Sequence, residues 1–110
     1  MKVYISGPIT NAPGYKSKFE WAEAIWKDKG HYVINPAKVN ATLPEETDHD
    51  GYMRISIALL AECDTIYMLK GWQTSEGANE ELDFAIAHNY TILFEERFNP
   101  LLQDPEEYQA

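Results

Sequence analysis

Residues 65–94 read TIYMLKGWQTSEGANEELDFAIAHNYTILF. The two ends, "TIYML" and "YTILF", are short β-prone apolar runs, and between them "ANEELDFAIAH" carries a helical pattern behind a loop with Ser75 and Gly77. A strand, a helix and a second strand on short links imply parallel pairing with a right-handed crossover. That single unit sets the fold class as α/β.

Working outward, the same alternation recurs. "KVYIS" at residues 2–6 is a strand stopped by Gly7-Pro8, and "HYVI" at 31–34 is another, stopped by Asn35-Pro36. Between them Tyr15, Phe19, Ala22 and Trp26 form an apolar helical stripe closed by Lys29 and Gly30. The polar stretch 37–50 reads as a surface loop long enough to cover something. A further helix from about Gly51 to Glu62 is apolar on two sides, with Tyr52, Ile55 and Leu59 on one and Met53, Ile57 and Leu60 on the other. Such a helix is sandwiched, here between the sheet and a second subunit. The expectation is a three-layer, flavodoxin- or Rossmann-like domain over residues 1–95, with a four- or five-stranded parallel sheet. Its order should be 2-1-3-4, with the loops after Ser6, Ile34 and Leu69 on one edge, where ligands bind in such sheets. Residues 96–110, with Pro100 and Pro105, read as a polar tail.

Composition narrows the function. A chain of 110 residues with 45% apolar content supports one core. A net charge of −9 argues against nucleic-acid polymers, whose phosphates require clustered Lys and Arg. It leaves room for a single nucleotide, because backbone N–H groups at a helix start can hold one phosphate. The lone Cys63 excludes an internal disulfide and fits a reducing cytoplasm. No apolar run is long enough to span a membrane, and "MKVYISGP" reads as a strand rather than a signal peptide. His31, His49 and His88 have no metal-ligand spacing with Cys63 or with one another, so no metal and no cofactor is expected.

Four acids crowd the helix after the Ser75 loop: Glu76, Glu80, Glu81 and Asp83. Periodicity puts Ala78, Leu82, Ala85 and Ile86 on its buried stripe. Glu80 and Asp83 fall off that stripe and read as solvated coat, and Glu76 suits the positive end of the helix dipole. Glu81 neighbours Ala78 and Ala85, so it flanks the buried face one turn behind the ligand-binding edge. A half-buried carboxylate beside a cleft is a candidate nucleophile or base, although on periodicity alone such a residue is more often a boundary acid than a catalyst. Phe84 and His88 lie on the same side: Phe84 suits a subunit contact, and His88 a helix C-terminal cation or an interface residue ahead of a proton shuttle. Asp64 fixes a turn, while Tyr67 and Trp72 suit a base-stacking or a core role.

The runs "VYISGPIT", "NP", "ECDTIYML" and "GWQTSEGANEELDFA" together resemble the nucleoside 2-deoxyribosyltransferase superfamily, and within it a compact phage and bacterial branch. That superfamily includes N-glycosidases that cleave the base from nucleoside monophosphates. The likeness spans roughly residues 2–94. It implies that Glu81 attacks the anomeric carbon and that Tyr4 orients it. It also implies that Ser75 and the N–H groups around Gly77 hold a 5′-phosphate, since relatives acting on free nucleosides tend to carry an acid where Ser75 stands. Ser6 and Gly7 can add donors, or simply end their strand. Ser56 occupies the place of a family aspartate that faces the base, which leaves Asp50 or another loop acid as substitute. The resulting expectation is a cytoplasmic homodimer that binds a nucleotide or nucleoside and cleaves the base–sugar bond of a nucleoside 5′-monophosphate. The alternatives are a non-catalytic nucleotide-sequestering protein and a deoxyribosyltransferase.

Overall fold

Val3, Tyr4 and Ile5 are all completely buried, so the first strand must be covered on both faces and flanked on both edges. The computed structural model, which describes residues 1–101, has it so. Strands β1 (Lys2–Ser6), β2 (Tyr32–Ile34), β3 (Thr65–Met68) and β4 (Thr91–Phe94) form one sheet of order β2-β1-β3-β4, parallel throughout. The order and direction match the sequence expectation, with four strands. The architecture is flavodoxin-like.

Side chains on a strand alternate between faces, and β1 sorts the core accordingly. Val3 and Ile5 pack with Phe19, Ala22 and Trp26 of helix α1 (Tyr15–Asp28). Tyr4 packs on the other face with Leu60 of α3 (His49–Leu60) and with Ala78, Leu82 and Ala85 of α4 (Glu76–Ala87). The α1 helix ends where Gly30 takes φ +89° and His31 N–H closes back on the Trp26 carbonyl. Gly7 ends β1 for a different reason. A Cβ there would stand 2.9 Å from Leu69 Cβ, so only glycine lets the exits of β1 and β3 come this close.

Several details depart from the sequence reading. The stretch 37–50 is not one loop. Asn35 accepts from Ala37 N–H, and Pro36 starts the short helix α2 (Pro36–Asn40). Asp48 likewise caps α3 through Gly51 N–H at 2.7 Å, so α3 begins two residues before Gly51. Ile86, expected on the buried stripe of α4, is 56% exposed. Glu81 takes its share of that face instead, together with Ala78, Leu82 and Ala85. Tyr67 belongs to the core, whereas Trp72 is half-buried against Phe94. Asp64 fixes the turn into β3 by accepting from Lys2 N–H and the Thr65 hydroxyl. Among the described residues no helix is long and apolar enough to cross a membrane.

Past β4 the chain stays packed at least to Phe98, whose ring stacks on Trp26 at 5.7 Å and is 1% exposed. The remainder of the expected polar tail, 102–110, lies outside the described residues. The Phe98 contact gives a prediction. Phe98→Ala should lower unfolding free energy by about 3–5 kcal/mol, read as a fall in the urea midpoint at unchanged slope. A loss under about 1 kcal/mol would show that Phe98 is not part of the core.

Candidate functional site

Tyr4 and Ser6 have the same parity on β1, so both side chains face the layer that contains α4. There they meet one group. The Tyr4 hydroxyl donates to Glu81 Oε2, and the Ser6 hydroxyl donates to Glu81 Oε1 at 2.7 Å. Each carboxylate oxygen therefore has its own donor, and the side chain is fixed in rotation. Ser56 of α3, only 4% exposed, hydrogen-bonds the Tyr4 phenol and extends the chain of hydroxyls.

Glu81 is 6% exposed. Burial pushes its carboxyl up to about 7, while the Tyr4 and Ser6 donors pull it back and the charge of Glu80 adds to the rise. The Tyr4 phenol is itself raised well above its ordinary value by burial and by the Glu81 charge, so it remains a donor at neutral pH. The result is a carboxyl group that changes charge near neutrality while held rigidly by neutral donors. That combination suits a nucleophile or a base.

The carboxylate borders a cleft of about 550 Å³, within the range of small-molecule sites. The cleft lies beyond the carboxyl ends of β1 and β3, where the chain leaves β1 for one side of the sheet and β3 for the other. Of the residues singled out from sequence, Gly7, Ser56, Ser75, Gly77 and Glu81 line it. Tyr4 and Ser6 do not. Ser6, expected as a substrate contact, is 1% exposed and stands behind Glu81 as a donor to it.

Ser75 caps α4, with its hydroxyl oxygen accepting from Ala78 N–H at 3.1 Å. Its own proton is thereby left for another acceptor, beside the first-turn N–H groups that no helix can satisfy internally. Gly77 sits where α3 crosses α4, and a Cβ there would press on Met53 Sδ at 3.2 Å. Together these residues make a small, donor-rich wall at one end of the cleft.

Other lining residues had no site role in the sequence reading: Lys16, Asn40, Glu45 and His49, the last set aside as a metal ligand. They come from the start of α1, from α2, from the following loop and from the start of α3, and no spacing rule links them. Glu80 is more than coat, because its carboxylate meets His49 Nε2 at 3.0 Å across the helices, with Glu76 Oε1 at 3.9 Å. Asp50 does not line the cleft; Glu45 is the loop acid that does. His88 turns away and bonds the Phe84 carbonyl at the end of α4. Cys63 is buried, and desolvation raises its thiol to about 11, so it is inert as a nucleophile.

Comparison with known proteins places this geometry. The family model described as "Domain of unknown function (DUF4406)" matches residues 1–94. A search of curated proteins finds no match by sequence. Among solved structures, the 2-deoxyribosyltransferase of Bacillus psychrosaccharolyticus superposes with a TM-score of 0.70 at 17% identity, covering 100% of this chain and 91% of that one. The CMP N-glycosidase BcmB of Clostridium botulinum gives a TM-score of 0.59 at 19% identity, covering 97% and 81% respectively. The shared fold spans the whole cleft.

The raised Glu81 carboxyl has a consequence for stability. A carboxyl with a higher value folded than unfolded binds its proton more tightly in the folded state. Stability is therefore greatest below about pH 4.5 for this group and falls as pH rises to about 7, then levels. The loss attributable to Glu81 should be of order 3 kcal/mol between pH 5 and pH 8. His49, raised by its bond to Glu80, is lost in the same direction, so the comparison must be with Glu81→Gln. Urea unfolding across that range should show the variant with the shallower decline. Parallel curves would mean that the carboxyl is not perturbed.

Proposed function

The chain belongs to the DUF4406 family, and we propose that its cleft binds a nucleoside 5′-monophosphate and cleaves the base–sugar bond, with Glu81 as nucleophile. The observation that carries this reading is the buried Glu81 carboxylate on the cleft wall, each oxygen held by one donor from β1. A carboxylate attacking the anomeric carbon forms an ester bond to the sugar as the bond to the base nitrogen breaks. The bonding electrons leave with the base, which takes up a proton. Water then hydrolyses the ester, giving the sugar phosphate and free Glu81. Tyr4 and Ser6 orient the carboxylate for attack.

Ser75 and the first-turn N–H groups of α4 receive the phosphate. Proton delivery to the base falls to Glu45, because Ser56 has no acidic proton near neutral pH. The likeness to a CMP N-glycosidase and to a 2-deoxyribosyltransferase supports a ribosyl ligand for this fold. Ser56 also favours a second reading, a protein that binds the nucleotide without cleaving it.

Single-turnover release of free base from a panel of nucleoside monophosphates, CMP included, separates the two. Under the catalytic reading Glu81→Gln slows release by roughly 10³-fold or more while nucleotide binding persists. Glu80→Gln and Asp83→Asn should leave release close to wild type when the phosphate site is saturated, and Ser56→Asp should raise it. Because the attacking form is ionised, the rate should fall about tenfold per pH unit below 7. Binding with no release by wild type would establish the sequestering protein instead. Ser75→Asp should reverse a preference for the monophosphate over its nucleoside, measured by calorimetry.

The exposed Ile86 supports a homodimer through α4. Light scattering at micromolar concentration should give twice the chain mass. A monomer mass throughout would remove the dimer from the proposal.

A further inference from the structure

The rim of the cleft beside Ser75 is acidic, and that conflicts with holding a phosphate there. Glu76 and Glu80 stand at i and i+4 on α4, a spacing that puts both carboxylates on one face as a repelling pair. Across from them is His49, the first residue of α3. Its Nε2 lies 3.0 Å from Glu80 Oε2 and 3.9 Å from Glu76 Oε1, and the donor atoms of all three residues lie within 4.8 Å of one another. His49 also lines the cleft.

The geometry fits an ion. Zinc-type bonds of about 2.0–2.2 Å to nitrogen and oxygen put neighbouring donors roughly 3–3.6 Å apart, and rotations of exposed glutamate side chains close the remaining difference. The backbones that carry the donors are well held. Gly77 brings α4 against Met53 of α3, and Ser75 and Asp48 cap the two helices. One imidazole and two carboxylates form a mixed nitrogen and oxygen set, suited to zinc or manganese rather than to a thiolate-seeking ion. Three protein ligands leave coordination positions open, as in sites where a metal meets its substrate.

We propose that His49, Glu76 and Glu80 bind a divalent cation of the zinc or manganese class at the cleft rim, with its open positions turned toward the phosphate of a nucleotide in the cleft. The ion offsets the charge of the two carboxylates, so the rim next to Ser75 no longer repels a phosphate. The cation site stands on the side-chain geometry alone; its meeting with a phosphate rests on the nucleotide reading above. The rival occupant is a proton on His49, which would form an ordinary ion pair with Glu80.

Calorimetric titration of the full chain with zinc chloride or manganese chloride at pH 7.5, without nucleotide, tests the site directly. The expected result is one ion per chain, weakened at least about tenfold by His49→Ala and by Glu80→Gln. Asp83→Asn, on the same helix, should leave it unchanged, and circular dichroism should show all variants folded. No binding by wild type, or equal binding by wild type and His49→Ala, overturns the site. A second titration adds CMP with and without the metal. A phosphate affinity raised by the metal in wild type, but not in His49→Ala, supports the meeting of ion and phosphate. Metal bound as expected with unchanged CMP affinity overturns that meeting and leaves the cation site standing. Metal bound as expected with no binding by any nucleoside monophosphate overturns the nucleotide reading alone.

Discussion

The paired hydrogen bonds from Tyr4 and Ser6 to Glu81 tie the central strand to α4, and the cleft depends on them. A buried carboxylate without donors would carry a desolvation penalty of several kcal/mol and would be displaced from the helix face by any apolar residue. With a hydroxyl on each oxygen, it replaces Ile86 in the layer between α4 and the sheet. The two-residue period of β1 makes this arrangement possible. The odd positions Val3 and Ile5 build the core under α1, while the even positions Tyr4 and Ser6 hold the polar group on the opposite side. One strand of five residues thus serves packing on one face and the site on the other.

Much of this was legible in the sequence, for reasons of length and periodicity. The strands at residues 2–6, 65–68 and 91–94 are short apolar runs bounded by turn residues, and the helices between them repeat at the helical period, so order and direction followed. Glu81 was visible as the one acid bordering a buried stripe, and its link to Tyr4 was implied by the family resemblance. What stayed hidden depends on contacts between distant segments. The short helix α2 forms because Asn35 and Pro36 supply a cap and a fixed φ, in a stretch whose composition is that of a loop. Ile86 is apolar and near the stripe, yet one step of about 100° carries it past the edge. The meeting of His49 with Glu76 and Glu80 joins two helices through a crossing angle that no spacing within one helix encodes.

The cleft has a floor and two walls of different make. Its floor is the sheet edge, with Gly7 allowing the exits of β1 and β3 to touch. Its donor wall is the capped start of α4. The opposite wall is the sequence from α2 to α3, fixed at the β2 end by Glu23. That carboxyl is partly desolvated, yet bonds from Lys27, Lys38 and Asn35 outweigh the cost and hold it at about 2. The charged network thus locks α1 to the Asn35-Pro36 turn at the base of that wall.

The stacking of Phe98 on Trp26 bears on how the molecule is made. Trp26 belongs to the first helix, but its indole stacks on the ring of Phe98, which follows the last strand. A chain emerging from the ribosome at about 5–20 residues per second leaves that indole face open to water for several seconds after α1 has formed. The central strand β1 waits equally for β3 to occupy its second edge. The β1–β3 pairing and the Trp26–Phe98 contact join segments far apart in the sequence, so both must form late in synthesis. A nascent chain halted before residue 98 would display an apolar surface, and one halted before β3 an unfilled strand edge as well, the features that chaperones bind.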